Sequence, residues 1–291
     1  MNNTSPQALK IKSIFLLFAL FSFSSSAQVS VIEDSLFSPS INAFCRMNIL
    51  VPEGYSNGKE RYTSLYLLHG FNQDHASWFN STELVHYARE YRFIIVSFDA
   101  QNSWYANSTT KINFNYEDLV IKDLIPFIDK KYSTIPDKQH RAIAGLSMGG
   151  YGAVKFGLKY PQQFFYAAGM SPSMQFPAGL EDSAIVARRS AASNQSVREA
   201  FGAQRNEQWN ANDIFFLLAH ANKSSLPYFY LSVGSHDGIP EVIVQAHQLA
   251  SEFRKRAVPF ELHETPGAHD WDFWDKEIEI VLKNISSHLK N

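Results

Sequence analysis

Short apolar runs alternate with amphipathic stretches along most of the chain, from Phe44 to its end. Apolar or strictly alternating runs predict strands, whereas apolar residues spaced three or four apart predict helices. Helical stretches of roughly ten to twenty residues separate the strands, as in parallel sheets with helices on both faces. The pattern therefore predicts a doubly wound α/β fold. The predicted strands are 44–51, 63–68, 93–98, 141–144, 164–168, 228–233 and 260–263, and the predicted helices are 77–90, 116–132, 151–159, 242–256 and 271–288.

One region departs from this alternation. Residues 171–225 mix small and polar residues with a weak helical period. They form an insertion after the sixth strand of the fold, near the carboxyl ends of the strands, where open α/β sheets bind their ligands. Such an insertion is a candidate cap over the site, and the alternative is a surface excursion without a role there. No linker divides the chain, so residues 28–291 are expected to form one domain.

The first 27 residues have the pattern of a secretory signal peptide. Lys10 and Lys12 precede an apolar run at 14–23, and small residues lead to a cleavage position after Ala27. The run is shorter than the ~20 residues that a membrane-spanning helix needs, which leaves an uncleaved anchor as the alternative. We therefore expect a secreted or periplasmic protein without a membrane span. Loss of two lysines changes the formal charge from −2 to −4, since 24 basic and 28 acidic residues remain.

Composition excludes several classes of function. The 26 basic and 28 acidic residues nearly balance and neither sign is clustered, so we expect no nucleic-acid partner. The single cysteine, Cys45, excludes an internal disulfide and a cysteine-rich zinc site, and its alternating surroundings favour a packed thiol over a reactive one. Nucleotide-binding glycine motifs are absent, and the histidines lack metal-ligand spacing. We expect neither a cofactor nor a metal.

The segment from Ala142 to Gly150 carries the strongest chemical signal. Gly145-x-Ser147-x-Gly149 directly follows an apolar run, as in a sharp strand-to-helix turn that exposes a nucleophilic serine. Glycines two positions before and after the serine leave room for such a turn. Chance supplies this motif fairly often in a chain of 291 residues, and the alternative is a glycine-rich turn around an ordinary serine. The serine therefore needs a base and an acid elsewhere in the chain.

A base and an acid follow Ser147 in the order that such a site requires, which is serine, then aspartate or glutamate, then histidine. Asp237 follows the predicted strand 228–233, and His269 precedes the last predicted helix. Asp237 also fits a simple turn, because Gly238 follows it. Order and loop placement together predict Ser147, Asp237 and His269 as a catalytic triad. Nearby rivals fit the order or the placement less well, namely His236, His263, Asp270 and Asp272.

Two backbone N–H groups must stabilise the oxyanion that forms when a serine attacks an ester. The residue after the nucleophile is one expected donor, which assigns Met148. The other comes from the loop after an earlier strand, here the loop after Leu68, and Phe71 is the predicted donor. His69 is expected to fix this loop by a side-chain hydrogen bond and not to act as a second catalytic histidine.

The motifs together resemble the esterase D group of α/β-hydrolases. That family also includes feruloyl esterases, tributyrin esterases, S-formylglutathione hydrolase and the mycolyltransferases. The resemblance covers roughly residues 44–288 and implies an α/β-hydrolase fold. The segments that carry it are 67–70, 102–105, 144–150 and 267–271, together with Trp274.

The resemblance also implies residue roles. It places Trp104 and Tyr105 beside the family's acyl pocket as candidate substrate contacts, and Trp271 in the last motif is a further candidate. Residues 174–222 depart from the family pattern, which leaves the leaving-group pocket and the natural substrate open. The other roles agree with those assigned above to Ser147, Asp237, His269, Phe71 and Met148.

These observations predict an exported serine carboxylesterase that acts on short-chain or aromatic acyl esters, including esters carried by carbohydrate. One alternative is an acyltransferase of the same family, which uses a sugar hydroxyl in place of water. Another is a non-catalytic protein that binds a ligand or a surface partner on the same scaffold. Such a protein is expected to have lost a triad residue, whereas all three are present here.

Overall fold

An eight-stranded sheet forms the centre of the protein in the computed structural model, which describes Met1 and residues 29–289. The strands are β1 (Ser30–Ser38), β2 (Ala43–Val51), β3 (Thr63–Leu68), β4 (Phe93–Phe98), β5 (Arg141–Leu146), β6 (Tyr166–Met170), β7 (Tyr228–Gly234) and β8 (Phe260–Thr265). Their order across the sheet is β1-β2-β4-β3-β5-β6-β7-β8. The pairs β1–β2 and β2–β4 are antiparallel, and the other neighbouring pairs are parallel. The doubly wound, mostly parallel sheet predicted from the sequence is confirmed.

Helices cover both faces of the sheet. In β4, Ile94 and Val96 belong to one hydrophobic core, whereas Phe93 and Ile95 belong to the core on the opposite face. Strands buried on both faces are apolar almost throughout, which explains why β4 lacks a polar face. The helices are α1 (Ser77–Ser81), α2 (Leu84–Tyr87), α3 (Tyr116–Asp118), α4 (Ile125–Lys131), α5 (Met148–Lys159), α6 (Ser183–Arg188), α7 (Ala191–Phe201), α8 (Glu207–Asn210), α9 (Ile214–His220), α10 (Pro240–Arg256) and α11 (Trp271–His288).

Two predicted helices are interrupted in the structure. The stretch 77–90 divides into α1, α2 and a 3₁₀ turn at Ala88–Glu90. Within 116–132, a π-helical turn at Leu119–Leu124 separates α3 from α4. Pro126 explains the second interruption, because it offers no N–H to the carbonyl of Lys122 and its ring crowds that carbonyl.

The sequence pattern missed β1. Most of its residues are exposed or half-buried, because it lies at the edge of the sheet and pairs only with β2. Exposed Val31 and Ile32 stand beside Glu33 and Asp34, so the strand shows no apolar face. An edge strand that is exposed to solvent on both faces has no alternation of apolar and polar residues to detect.

The insertion between β6 and β7 contains α6, α7, α8 and α9. Its residues Val197, Phe201 and Trp209 are buried in the same hydrophobic core as α5. Tyr151 on α5 also donates a hydrogen bond from its hydroxyl to the carbonyl of Asn212 at 2.7 Å. The insertion is therefore packed on the body of the protein, at the carboxyl ends of the strands.

The predicted signal peptide, residues 1–27, lies outside the described residues apart from Met1. Within the described part of the chain, no helix combines the length and apolar character needed to cross a membrane. Cys45 is buried, and burial raises the pKa of its thiol to about 12. A thiol with that pKa stays protonated and unreactive near neutral pH.

Candidate active site

Ser147 occupies a sharp turn between β5 and α5. Its backbone has φ 52° and ψ −115°, in a region that a non-glycine residue occupies only when its surroundings enforce it. A Cβ atom on Gly145 would lie 2.4 Å from the carbonyl oxygen of Gly149. A Cβ atom on Gly149 would lie 2.2 Å from the carbonyl oxygen of Leu68. The two glycines let the backbones pass close enough to form the turn.

The structure brings the three predicted triad residues together. His269 Nε2 lies 2.9 Å from Ser147 Oγ, and His269 Nδ1 lies 2.8 Å from Asp237 Oδ2. The Asp237 side chain is fully buried, and its second oxygen accepts a hydrogen bond from the Ile239 N–H at 2.8 Å. A carboxylate facing Nδ1 favours the tautomer with its proton there, which leaves Nε2 to accept the serine proton.

Backbone contacts hold the loop that carries Asp237 against the loop that carries His269. A Cβ atom on Gly234 would lie 2.4 Å from the carbonyl oxygen of Gly267, so the two loops touch at glycine. The His236 N–H donates to the same carbonyl at 2.9 Å. Trp274 packs edge-on against the imidazole of His269, with ring centroids 5.0 Å apart. These contacts limit the movement of the imidazole relative to the acid.

The rival residues have other partners. His236 contacts Ser235 Oγ at 3.1 Å, and His263 contacts Glu261 at 3.0 Å. Asp270 caps α11 by accepting the N–H of Phe273 at 3.1 Å. Within residues 29–289, no group of three or more His, Cys, Asp and Glu side chains has an arrangement suited to a metal ion.

Of the two predicted oxyanion donors, Met148 directly follows Ser147, and Phe71 lines the same cavity as Ser147. Met148 begins α5, where the first N–H groups of a helix have no partner within the helix. In the other loop, the N–H of Gly70 donates to Gln73 Oε1 at 2.8 Å, and that of Asn72 donates to Asn102 Oδ1 at 2.7 Å. No acceptor for the Phe71 N–H lies among the described residues. Phe71 and Met148 therefore remain the two candidate N–H donors for an oxyanion.

His69 fixes the Phe71 loop. Its Nε2 accepts the N–H of Ala100 at 2.9 Å, so the ring proton is on Nδ1, which donates to the carbonyl of Gly70 at 2.8 Å. Burial lowers the pKa of His69 below its ordinary value, so the ring is neutral at neutral pH. These hydrogen bonds match the loop-fixing role expected from the sequence.

Ser147 opens into a cavity of about 370 Å³ at the carboxyl ends of the strands. Of the predicted substrate contacts, Trp104 lines this cavity, while Tyr105 and Trp271 do not. Sequence reasoning missed several lining residues because they lie on the insertion or face the cavity only after folding. They include Ser173, Gln175, Ile185, Arg188, Arg189 and Trp274.

The structure corrects the assignments of Tyr105 and Trp271. Tyr105 is fully buried, and its hydroxyl donates to the carbonyl of His69 at 2.8 Å beneath the oxyanion loop. Trp271 packs edge-on between Trp78 and Trp274, with centroid distances of 5.5 and 5.4 Å. Tyr105 is thus a support for the loop, and Trp274 takes the place beside the cavity that the sequence assigned to Trp271.

A buried ion pair anchors α5 beneath the cavity. The ammonium of Lys155 donates to the carbonyl of Tyr105 at 2.6 Å and lies 3.1 Å from both Glu117 Oε2 and Asn212 Oδ1. Burial alone raises the pKa of Glu117, but Lys155 and Lys159 outweigh it and hold the pKa at about 2. Burial lowers the pKa of Lys155 to about 8. Both groups are charged at neutral pH and connect α5 to the loop after β4, to α3 and to the insertion.

Comparisons with known proteins agree with this geometry. A family model described as "Putative esterase" matches residues 38–284. An acetyl esterase from Caldicellulosiruptor saccharolyticus is 29% identical over 232 residues, which are 78% of this chain and 84% of that protein. An endo-1,4-beta-xylanase/feruloyl esterase from Xylanibacter ruminicola is 34% identical over 148 residues, which are 46% of this chain and only 20% of that protein.

A solved structure supports the fold. The substrate-bound fluorophosphonate-binding serine hydrolase FphF from Staphylococcus aureus superposes with a TM-score of 0.77. The match covers 91% of this chain and 100% of that chain at 22% identity, so it shows a shared architecture. The predicted α/β-hydrolase fold and the family resemblance are confirmed. The chain belongs to the "Putative esterase" family, and it is an ester-hydrolysing enzyme.

Proposed function

We propose that this enzyme hydrolyses carboxylic esters through an acyl-enzyme formed on Ser147. The observation that carries the proposal is the continuous hydrogen-bonded chain from Asp237 through His269 to Ser147 at the floor of a cavity. His269 takes the hydroxyl proton as Ser147 Oγ attacks the ester carbonyl, and Asp237 stabilises the imidazolium that results. The imidazolium then gives its proton to the departing alcohol.

The second half of the reaction uses the same groups. A water molecule replaces the alcohol, and His269 removes its proton as the water oxygen attacks the acyl carbonyl. The bond from the carbonyl carbon to Ser147 Oγ then breaks, and Oγ takes the proton back from His269, which releases the carboxylic acid. In both halves the tetrahedral oxyanion accepts hydrogen bonds from the N–H groups of Phe71 and Met148. Removing one such donor typically costs about 10²–10³ in kcat.

For the substrate, we propose short-chain or aromatic acyl esters, including those on carbohydrate. The cavity of about 370 Å³ is large enough for such an acyl group, and Phe71, Trp104 and Trp274 give it aromatic walls. The names of the acetyl esterase and the xylanase/feruloyl esterase relatives support the same substrates. An acyltransferase would use the identical acyl-enzyme with a sugar hydroxyl in place of water. A sugar acceptor added to the assay distinguishes the two, because a transferase forms acylated sugar faster than free acid.

Fluorophosphonate labelling tests the nucleophile. The wild-type enzyme is expected to take up one label, and labelling is expected to abolish its hydrolysis of p-nitrophenyl acetate. Ser147→Ala is expected to take up no label and to show no hydrolysis. Ser173→Ala is the matched control, since Ser173 Oγ lies 3.5 Å from Ser147 Oγ and His269 bonds only the latter. His269→Ala is expected to slow labelling strongly. Undiminished labelling of Ser147→Ala contradicts the proposed nucleophile and with it the mechanism.

We also propose export, on the basis of the basic, apolar and small-residue segments that end at Ala27. Expression of the full chain in a bacterial host followed by fractionation and intact-mass analysis tests it. The expected product lies outside the cytoplasm and begins at Gln28. A cytoplasmic product that keeps Met1 or Asn2 contradicts export.

A further inference from the structure

Arg189 is a cation in the cavity that lacks a carboxylate partner. It follows α6 and lines the same cavity as Ser147. Its guanidinium stacks on Phe176 and Trp104, with 4.6 and 5.6 Å from Cζ to the ring centroids. Among the described residues it forms no salt bridge, and its polar contacts through Nε and Nη2 go to the hydroxyl of Ser193 at 3.1 and 2.6 Å. The charge is therefore held in place by neutral groups.

The guanidinium retains unused hydrogen-bonding capacity. Two of the five N–H donors of an arginine are occupied by Ser193, so three remain without an acceptor among the described residues. The cation is partly removed from water, and this burial lowers the pKa of Arg189 to about 10. A desolvated cation without a counter-ion is unfavourable unless a ligand supplies the missing charge.

Gln175 is a second, independent observation on the same cavity. Its residue is only 3% exposed, yet neither Nε2 nor Oε1 has a hydrogen-bond partner among the described residues. Gln175 lines the cavity together with Arg189. Buried amide atoms are almost always paired in folded proteins. A buried amide without hydrogen-bond partners and a guanidinium without a counter-ion line the same cavity, which is typical of a site that a polar ligand completes.

The remaining charges of the cavity do not supply that counter-ion. Glu241 lines the cavity but forms a short salt bridge with Arg188, so these two charges compensate each other. His269 is occupied by Asp237 and Ser147. The cavity thus presents one unpaired positive charge. A single cation with a planar array of donors matches a monoanionic carboxylate better than a dianionic phosphate.

We propose that Arg189 and Gln175 form a subsite for a carboxylate carried by the substrate, so that the enzyme favours esters that bear a free carboxylate. The inference rests on the proposed ester hydrolysis at Ser147 and specifies its substrate class. The carboxylate belongs either to the acyl group or to the alcohol, and substrates of both kinds separate these sources.

Two pairs of esters test the subsite. Phenyl hydrogen succinate and phenyl methyl succinate place the charge on the acyl side, and 4-acetoxybenzoate and its methyl ester place it on the alcohol side. For each pair, the ratio of kcat/KM for the charged ester to that for the neutral ester is measured. Intrinsic reactivity cancels when the same pair is compared between variants. Arg189→Gln is expected to lower the ratio about tenfold or more in one pair, as for loss of a buried charge-assisted hydrogen bond.

Further variants separate recognition from folding. Arg189→Lys keeps the charge and is expected to retain part of the ratio, while Gln175→Leu is expected to lower it. Arg198→Gln is the matched control, because it removes one positive charge from an exposed position on α7 outside the cavity. Fluorophosphonate labelling and thermal unfolding confirm that each variant is folded. If Arg189→Gln is unfolded, Arg189→Lys and Gln175→Leu decide the outcome by the same ratios.

Three results overturn the inference. In the first, folded Arg189→Gln keeps both ratios within about threefold of wild type, which is less than one charge-assisted hydrogen bond is worth. In the second, the wild type hydrolyses both neutral esters but neither charged one, which removes the subsite and leaves the proposed function intact. In the third, the wild type hydrolyses none of the four esters and takes up no fluorophosphonate, and the proposed function fails as well.

Discussion

Replacement of Gly149 by alanine tests whether close backbone contact builds the serine turn. The added Cβ would lie 2.2 Å from the carbonyl oxygen of Leu68 and 2.7 Å from that of His69. Ordinary contact begins near 3.4 Å, so the start of α5 and the end of β3 must separate by about 1.2 Å. Both sides of this contact are backbone, and a change of side-chain rotamer cannot relieve it.

The separation has two expected costs. Overpacking of this kind typically lowers the free energy of unfolding by about 1–3 kcal/mol, and backbone atoms on both sides favour the upper end. The shift also moves Ser147 away from the oxyanion loop, because Leu68 and His69 lead directly into that loop. A displacement of about 1 Å in a catalytic site typically costs on the order of 10² in rate. We therefore expect kcat for p-nitrophenyl acetate to fall about a hundredfold, with a smaller change in KM.

Gly179→Ala is the matched control. A Cβ atom there meets nothing closer than 3.5 Å, and its backbone φ lies outside the left-handed region. Urea unfolding and steady-state kinetics are measured for both variants. The reasoning is refuted if Gly149→Ala keeps kcat within about threefold and unfolding within about 0.5 kcal/mol of wild type, the usual range of neutral substitutions. Equal losses in both variants also refute it, because the contact with Leu68 would then not be the cause.

Three further predictions concern buried charges. Asp237→Asn is expected to lower kcat about 10⁴-fold in steady-state assays, as expected for loss of the correct histidine tautomer, and a loss below tenfold contradicts its role. Lys155→Met is expected to lower the unfolding free energy in urea by about 3–5 kcal/mol, and an unchanged value contradicts a buried pair. Glu117 has a pKa of about 2 against an ordinary 4.5. The stabilisation by ionised Glu117 is therefore complete above pH 4.5 and is lost as the pH falls towards 2. Between pH 5 and 2, the free energy of unfolding of the wild type should fall by up to about 3 kcal/mol more than that of Glu117→Gln. Equal pH slopes in the two proteins contradict this role of Glu117.

The sequence predicted the elements that backbone geometry constrains. The turn at Ser147 has a detectable signature because its glycines touch neighbouring backbone, at Leu68 for Gly149 and within the turn for Gly145. The loop that carries Asp237 follows the apolar run of β7, and the loop that carries His269 follows β8, in which apolar and polar residues alternate. β1 was not predictable in the same way, because its form depends on its position at the sheet edge. The interruption of the helix 116–132 was predictable, because Pro126 lies inside its helical period.

Substrate contacts were harder to predict, because the direction of a side chain depends on packing between distant segments. Trp104 and Tyr105 are adjacent in sequence, yet one lines the cavity and the other is buried under the oxyanion loop. Trp271 and Trp274 likewise lie one helical turn apart, and only the second faces His269. A motif shared with a family fixes where such residues lie along the chain. It does not fix which of two neighbouring rings points towards the substrate.

Different segments of the chain supply the triad and the proposed substrate subsite at the cavity. Ser147, Asp237 and His269 lie on loops at the carboxyl ends of the strands, held by backbone contacts that few sequences satisfy. Arg189 and Gln175 lie after β6, where the chain contributes side chains over the site without entering the sheet. Changes in residues 173–193 can therefore alter which ester is bound while the hydrogen bonds of the triad stay in place. The proposed subsite accounts for the weak pattern of the insertion in the sequence, since residues that contact a ligand as well as a core need not follow a regular apolar period.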